Sequence, residues 1–331
     1  MIRQILTIVL LSAALPAWAD YSEHEKVPEL LNLLRHDFGY DEAELSSVVG
    51  ALKQAQRLPQ LVQKEQKAPE RTENWTQYSR RIDESRIRDG LRVIHEHEEE
   101  FARAEEQFGV PATVIASILG IETRYGRVTG NVHVLDALAT QGFDHPTRSH
   151  FFLNELAQFF VFCRNSGIDP TVPLGSYAGA MGAAQFMPSN YRRLALDYDG
   201  DGESNLWSLP DAIGSIANYF ANYRPDQSWV RGEPLAVRAQ LTKPLPPGME
   251  LNGSDAAYTV AELMDAGIVP ETALPRRTRV GIIELPLDDG KEYWLALHNF
   301  YTVMTYNPRT FYAMAVTQLS LRLAEQMEAP P

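Results

Sequence analysis

The chain has 331 residues, 44% of them hydrophobic, a single cysteine, and a formal net charge of -13 from 30 Lys+Arg against 43 Asp+Glu. That length and apolar content suit about two domains with a sizeable core, and they exclude a disordered chain. The acid excess argues against nucleic acid as a partner, and one cysteine excludes an internal disulfide.

Residues 1–19 carry a basic Arg3, an apolar run from Ile5 to Leu15 and the small pair Ala17 and Ala19 around Trp18, the pattern of a secretory signal peptide cut after Ala19. The run is shorter than the ~20 residues a spanning helix needs. No cysteine follows it that could carry a lipid, so a soluble, exported, periplasmic product without a membrane anchor is expected.

Residues 20–106 are polar, with helical apolar spacing at Leu30, Leu31, Leu33 and Leu34 and again at Leu91, Val93 and Ile94. They predict an all-helical domain broken at Pro59 and Pro69, with acid runs such as Glu98 to Glu100 on wet faces.

A core is expected over 107–224. It opens with Val110 to Gly130, where Pro111 suits a first helical position and Val114, Ile115, Ile118, Leu119 and Ile121 cover nearly every face. Such a helix is buried, and Gly126 is its expected stop. Glu122 therefore emerges from apolar surroundings, which raise a carboxyl pKa as a general acid near neutral pH requires. The alternative is a structural ion pair with Arg124 or Arg127. Two more helices follow, at 135–139 and 150–164, with Asp136 and Ser149 at or near their N-terminal caps. Cys163, among Phe159, Phe160 and Phe162, reads as a buried hydrophobe.

Gly175 to Pro188 is rich in glycine and alanine, so that backbone can approach a ligand or a neighbouring helix closely. Ser176 and Gln185 offer hydrogen bonds there, and Tyr177, Met181 and Phe186 offer apolar surface. Next comes an acidic loop in which Asp197, Asp199, Asp201 and Gly202 occupy positions 1, 3, 5 and 6 of an EF-hand, with Glu203 lending a backbone carbonyl at position 7. Position 12 is Ser208 rather than Glu, so a hard cation such as calcium needs a longer loop closed by Asp211; the alternative is a metal-free turn. After a helix at 210–223, prolines and alternating runs at 235–241 and 280–285 predict a small β-rich insert over 225–291. Residues 292–331 return to the core, with a last helix at 307–327.

Taken together, Gly120 to Gly126, Gly175 to Pro188 and Asp197 to Asp211 resemble the B-type lytic murein transglycosylases, in their soluble, non-lipidated form. The resemblance implies an α+β, mainly α fold: a lysozyme-like core, an N-terminal helical domain and the β-rich insert. It implies that Glu122 is the catalytic acid and base and that Ser176, Gln185 and Tyr219 line the sugar site beside an apolar wall of Met181 and Phe186. It further implies that the loop of Asp197, Asp199, Asp201, Glu203 and Asp211 binds a structural calcium, and that catalysis needs no cofactor. In His298 to Asn307 it points to Asn299 and Tyr306, with Tyr301 behind them, and marks Thr305 as a departure where relatives carry Arg. Tyr125 and Tyr219 are the aromatics most suited to stacking on sugar.

The implied reaction is lysis of peptidoglycan glycan strands by a monomer, with 1,6-anhydro ends. Two other readings stand beside it: a hydrolytic muramidase using Asp136 or Asp144 as a second carboxylate, and a non-catalytic peptidoglycan-binding scaffold.

Overall fold

The computed structural model describes residues 20–66 and 72–328; the expected signal peptide lies outside them. Two compact units emerge among the described residues, one from the segments up to residue 62 and 133–173, the other from the segments within 63–132 and from 174 onward.

In the first unit, helices Val27–Phe38, Glu42–Gln54, Val134–Asp144 and Ser149–Ser166 bury Leu30, Leu34, Leu52, Leu138, Phe152 and Phe159. Asp41 starts the second helix as half of a reciprocal capping box with Glu44. Burial pushes the Cys163 thiol up to about 12, which keeps it an inert hydrophobe. Asp136 is no cap: its carboxylate accepts the Gln56 N–H at 2.8 Å. Ser149 is the first helical residue, after an Arg148 that makes no side-chain cap. The sequence placed residues 133–173 with the segments that follow them and residues 63–106 with the N-terminal helices. The structure regroups both, because an amphipathic pattern reveals that a face is buried without revealing its partner.

The second unit gathers Glu84–Glu96, Glu98–Phe108 and Leu209–Asn222 around the helix Ala112–Thr123, with Thr310–Glu328 packed along it. Val114, Ile115, Ile118 and Leu119 are all buried, as their spacing predicted. A five-stranded antiparallel sheet runs in the order Tyr258–Thr259, Arg279–Pro286, Lys291–Ala296, Ala236–Leu241, Ile268–Pro270. Val237, Val280, Ile282 and Leu295 pack with Val260 and Leu263 of the short helix Val260–Asp265. The sheet continues past residue 291, the boundary expected from proline content. Lys291–Ala296 pairs with strands on both sides and is the middle of the sheet. The last predicted helix, 307–327, is found as Thr310–Glu328, and a further helix that the spacing did not announce, His298–Tyr306, precedes it and ends before Pro308. The described residues are mainly helical with the five-stranded sheet and a two-stranded pair, Val132–His133 with Leu174–Gly175, the class expected. Among the described residues no helix is long and apolar enough to cross a membrane.

Candidate active site

Glu122 is the penultimate residue of Ala112–Thr123. The helix stops earlier than Gly126 because Arg124, Tyr125 and Gly126 take φ values of 50°, 60° and 79° in succession. Pro111 is its cap rather than its first residue. Thr123 fixes this turn: its hydroxyl donates to the Ala183 carbonyl at 2.9 Å and accepts the Gly126 N–H at 2.9 Å. Tyr125, expected to stack on sugar, is instead 4% exposed and donates to the Arg86 carbonyl at 2.7 Å.

The Glu122 side chain is half-buried, and burial lifts its carboxyl from 4.5 to about 7. One hydrogen bond opposes the shift: the Tyr312 hydroxyl donates to Oε1 at 2.6 Å. The ion-pair reading falls, since Arg124 lies 3.9 Å from Asp83 and Arg127 pairs with Asp89. Burial, then the nearby Glu122 charge, drives the phenols of Tyr306 and Tyr312 well above their ordinary 10, so both serve as neutral donors.

Tyr312 was not legible in the sequence. Its signal is a phenol on the buried face of its helix, beside Ala313, Val316 and Leu319. A hydrogen bond to a charged group is worth roughly 1.5–3 kcal/mol. Tyr312→Phe should therefore lower kcat about ten- to a hundredfold. Because the lost bond holds the pKa down, the alkaline limb of the rate profile should also move to higher pH; an unmoved limb would show that Tyr312 does not act on Glu122.

The Gly175 to Pro188 stretch lies against the Glu122 turn through Thr123 and Gln185. Gln185, at φ 51°, spends both amide hydrogens on the Thr129 and Gly182 carbonyls at 3.0 and 2.9 Å, leaving Oε1 to accept from a ligand. Ser176 Oγ accepts from the backbone of Ala178 and Ala180 at 3.2 and 3.0 Å, leaving its hydrogen to donate. Gly182 has φ +73°, and a Cβ there would sit 2.5 Å from the Leu206 carbonyl oxygen, so only glycine fits.

Several expected sugar contacts are supports instead. Met181 and Phe186 are 0% and 2% exposed, so they form the floor beneath the site and not its wall. Tyr219 is buried, stacks on Tyr223 at 4.4 Å and donates to the Thr305 carbonyl at 2.7 Å. Tyr306 donates to the Ala184 carbonyl and packs on Phe186 and Tyr219. Asn299 is fully buried and occupied: it accepts the Val230 N–H and donates to the Val230 and Glu233 carbonyls, tying a loop to its helix. Its place in the motif gave no sign of which helical face it took.

In the acidic loop, carboxylate oxygens of Asp197, Asp199 and Asp211 lie within 4.8 Å of one another. Asp211 is 1% exposed and accepts the N–H groups of Tyr198, Asp199 and Asn205 at 2.6, 3.3 and 2.6 Å. Asp197 accepts from Gly200 and Gly202. The carboxylates of Asp201 and Glu203 stay outside the trio; Asp201 accepts the Glu203 N–H. Three converging carboxylates fit a hard divalent cation, whose charge offsets their mutual repulsion.

A carboxyl poised near 7 on a buried helix, with a tyrosine on its oxygen and donors and acceptors grouped beside it, defines an acid–base enzyme. The chain belongs to the Transglycosylase SLT domain family, whose sequence model matches residues 26–321. It is 36% identical over 315 residues to the membrane-bound lytic murein transglycosylase B of Escherichia coli, covering 92% of this chain and 84% of that one. The structure of catenated lytic transglycosylase SltB1 from Pseudomonas aeruginosa matches at 38% identity and a TM-score of 0.84, over 92% of this chain and 99% of the other. Escherichia coli lytic transglycosylase SLT35, solved in complex with calcium, matches at 35% identity and a TM-score of 0.81, over 93% and 95%. The resemblance drawn from three motifs, and the lysozyme-like fold it implied, are borne out.

Proposed function

We propose that this protein is a peptidoglycan lytic transglycosylase that cleaves the β-1,4 bond between N-acetylmuramic acid and N-acetylglucosamine and leaves 1,6-anhydromuramyl ends. The observation that carries this is Glu122: a carboxyl at about 7 that accepts a hydrogen bond from Tyr312, and whose pKa no second carboxylate among the described residues perturbs. Protonated, it donates to the glycosidic oxygen as the bond to muramyl C1 breaks. As carboxylate, held by Tyr312, it takes the proton of the muramyl 6-hydroxyl, whose oxygen closes on C1. The proton passes from O6 to the leaving oxygen through one carboxyl, and no water is consumed. An intramolecular nucleophile has high effective molarity, so a second enzymic carboxylate is not required.

Ser176 and Gln185, with a free donor and a free acceptor, are the residues assigned to holding the sugar. The hydrolytic reading has little support. Asp144 is engaged by Arg57 at 2.8 and 3.0 Å and by the Tyr21 hydroxyl, and Asp136 by the Gln56 backbone. Mass spectrometry of muropeptides released from sacculi tests the reaction. Products lighter by one water are expected; reducing ends alone would establish hydrolysis. A relative was solved with calcium, and the trio of Asp197, Asp199 and Asp211 supports the same ion here in a stabilising role. The substrate, and the leader pattern of residues 1–19, support export to the periplasm and action there.

A further inference from the structure

A second polar cleft, of about 420 Å³, lies in the same compact unit, between the sheet and the first turns of His298–Tyr306. Glu233, Asp255, Thr278, Arg279, His298 and Tyr301 line it. Tyr301 is 4% exposed, and its hydroxyl has no hydrogen-bond partner among the described residues. Oε2 of Glu233 is likewise buried without a partner. The Tyr301 hydroxyl reaches toward the sheet at Gly281, where a Cβ would come within 1.8 Å of it, next to the Asp255 carbonyl. The sheet is thus pared down to admit a polar atom that no described residue engages. Buried polar groups are paired as a rule, so orphaned ones in a cleft call for a ligand.

The lining states what ligand. Glu233, Asp255 and the Tyr301 oxygen offer accepting groups, and after burial the charges of Asp255 and Glu250 act on Tyr301. Arg279, anchored through Nη2 on the Ala257 carbonyl, supplies a cation, and Thr278 a hydroxyl. His298 is turned away, with Nε2 on the Ser228 carbonyl at 2.8 Å. A metal ion does not fit: among the described residues only Asp197, Asp199 and Asp211 bring three ligand atoms together. Acids and a guanidinium lining one cleft match a group bearing both ammonium and carboxylate.

We propose that this cleft binds the zwitterionic end of a diamino acid in the stem peptide of the peptidoglycan substrate, an inference that rests on the function proposed above. Geometry supplies the reach. The nine residues of His298–Tyr306 span about 12 Å at 1.5 Å per residue, and Tyr306 at the far end adjoins Glu122. Three extended peptide residues cover about 10 Å, so a stem leaving a muramyl sugar beside Glu122 brings its third residue to the cleft.

Calorimetric titration with a free stem tripeptide ending in meso-diaminopimelate tests this without any turnover. The wild type should bind it, and acetylation of the side-chain amine or Glu233→Gln should each weaken binding at least tenfold. Tyr301→Phe, which removes the orphaned hydroxyl and keeps the ring, should weaken it several-fold in a protein that still folds. On sacculi, Glu233→Gln should lower kcat/KM about tenfold, while cleavage of peptide-free glycan strands stays unchanged. No binding to the wild type, or equal binding of the acetylated peptide, would show a cleft filled by water and overturn the proposal. Free diaminopimelate binding as tightly as the tripeptide would assign the cleft to a free amino acid and remove the stem. Failure to cleave both sacculi and bare strands would strike the enzymatic reading alone, since the titration decides the cleft independently.

Discussion

Glu122→Gln should lose roughly a thousandfold or more in kcat, within the range that positioned acid–base catalysis provides, and should at the same time stabilise the protein at alkaline pH. In the unfolded chain this carboxyl titrates at 4.5, and in the fold at about 7. Between those values the native state binds more protons than the unfolded one, so stability falls as pH rises through the interval. The shift corresponds to about 3 kcal/mol at most, as an order of magnitude. Glutamine has the same size and an oxygen for Tyr312 but never ionises. Its melting temperature should therefore match wild type below pH 4.5 and exceed it by several degrees at pH 8. A glutamine variant that still releases anhydromuropeptides would remove Glu122 from the chemistry. One that melts below wild type at pH 8 would contradict the strain assigned to the native carboxylate.

The second large effect is expected at Asp211. Replacing it by Ala takes the acceptor from three backbone N–H groups at once, those of Tyr198, Asp199 and Asn205. At 1–3 kcal/mol for each buried group left unpaired, partly relieved by water, the loss should be about 3–5 kcal/mol even with chelator present. Calcium adds a separable term. An ion at a hundredfold its dissociation constant contributes about 2.7 kcal/mol, so wild type should melt several degrees lower in chelator than in calcium. The Asp211→Ala melting curve should not respond to either. A wild type indifferent to chelator would leave the loop a turn braced by Asp211. A variant as stable as wild type in chelator would refute the bracing as well.

What could be read beforehand differs from element to element. The apolar residues of Ala112–Thr123 recur on every side, so burial of that helix follows from the string alone, and with it the dry setting of Glu122. The spacing of the acidic loop named Asp197, Asp199 and Asp201 alike, with Asp211 as the closing acid, but only Asp197, Asp199 and Asp211 converge, because spacing does not show which carboxylates turn inward. Asn299 misled: a polar residue in a motif looks like a contact, and only packing shows that it holds the backbone at Val230 and Glu233. Tyr219, Met181 and Phe186 misled for a related reason, since aromatic and apolar side chains serve a floor as well as a wall.

The amino-acid order by itself determined the helical class with its small sheet and the family, and it singled out Glu122 and the acidic loop, all carried by local periodicity and short-range spacing. Tertiary structure alone decided that Tyr312, 190 residues beyond Glu122, donates to it, that the carboxyl rests near 7, and that Tyr301 and Glu233 are orphaned in one cleft. Each of these depends on which distant segments exclude water from a given atom. Spacing along the chain shows that a helix is buried, but which distant side chain reaches a given atom is a property of the assembled surroundings.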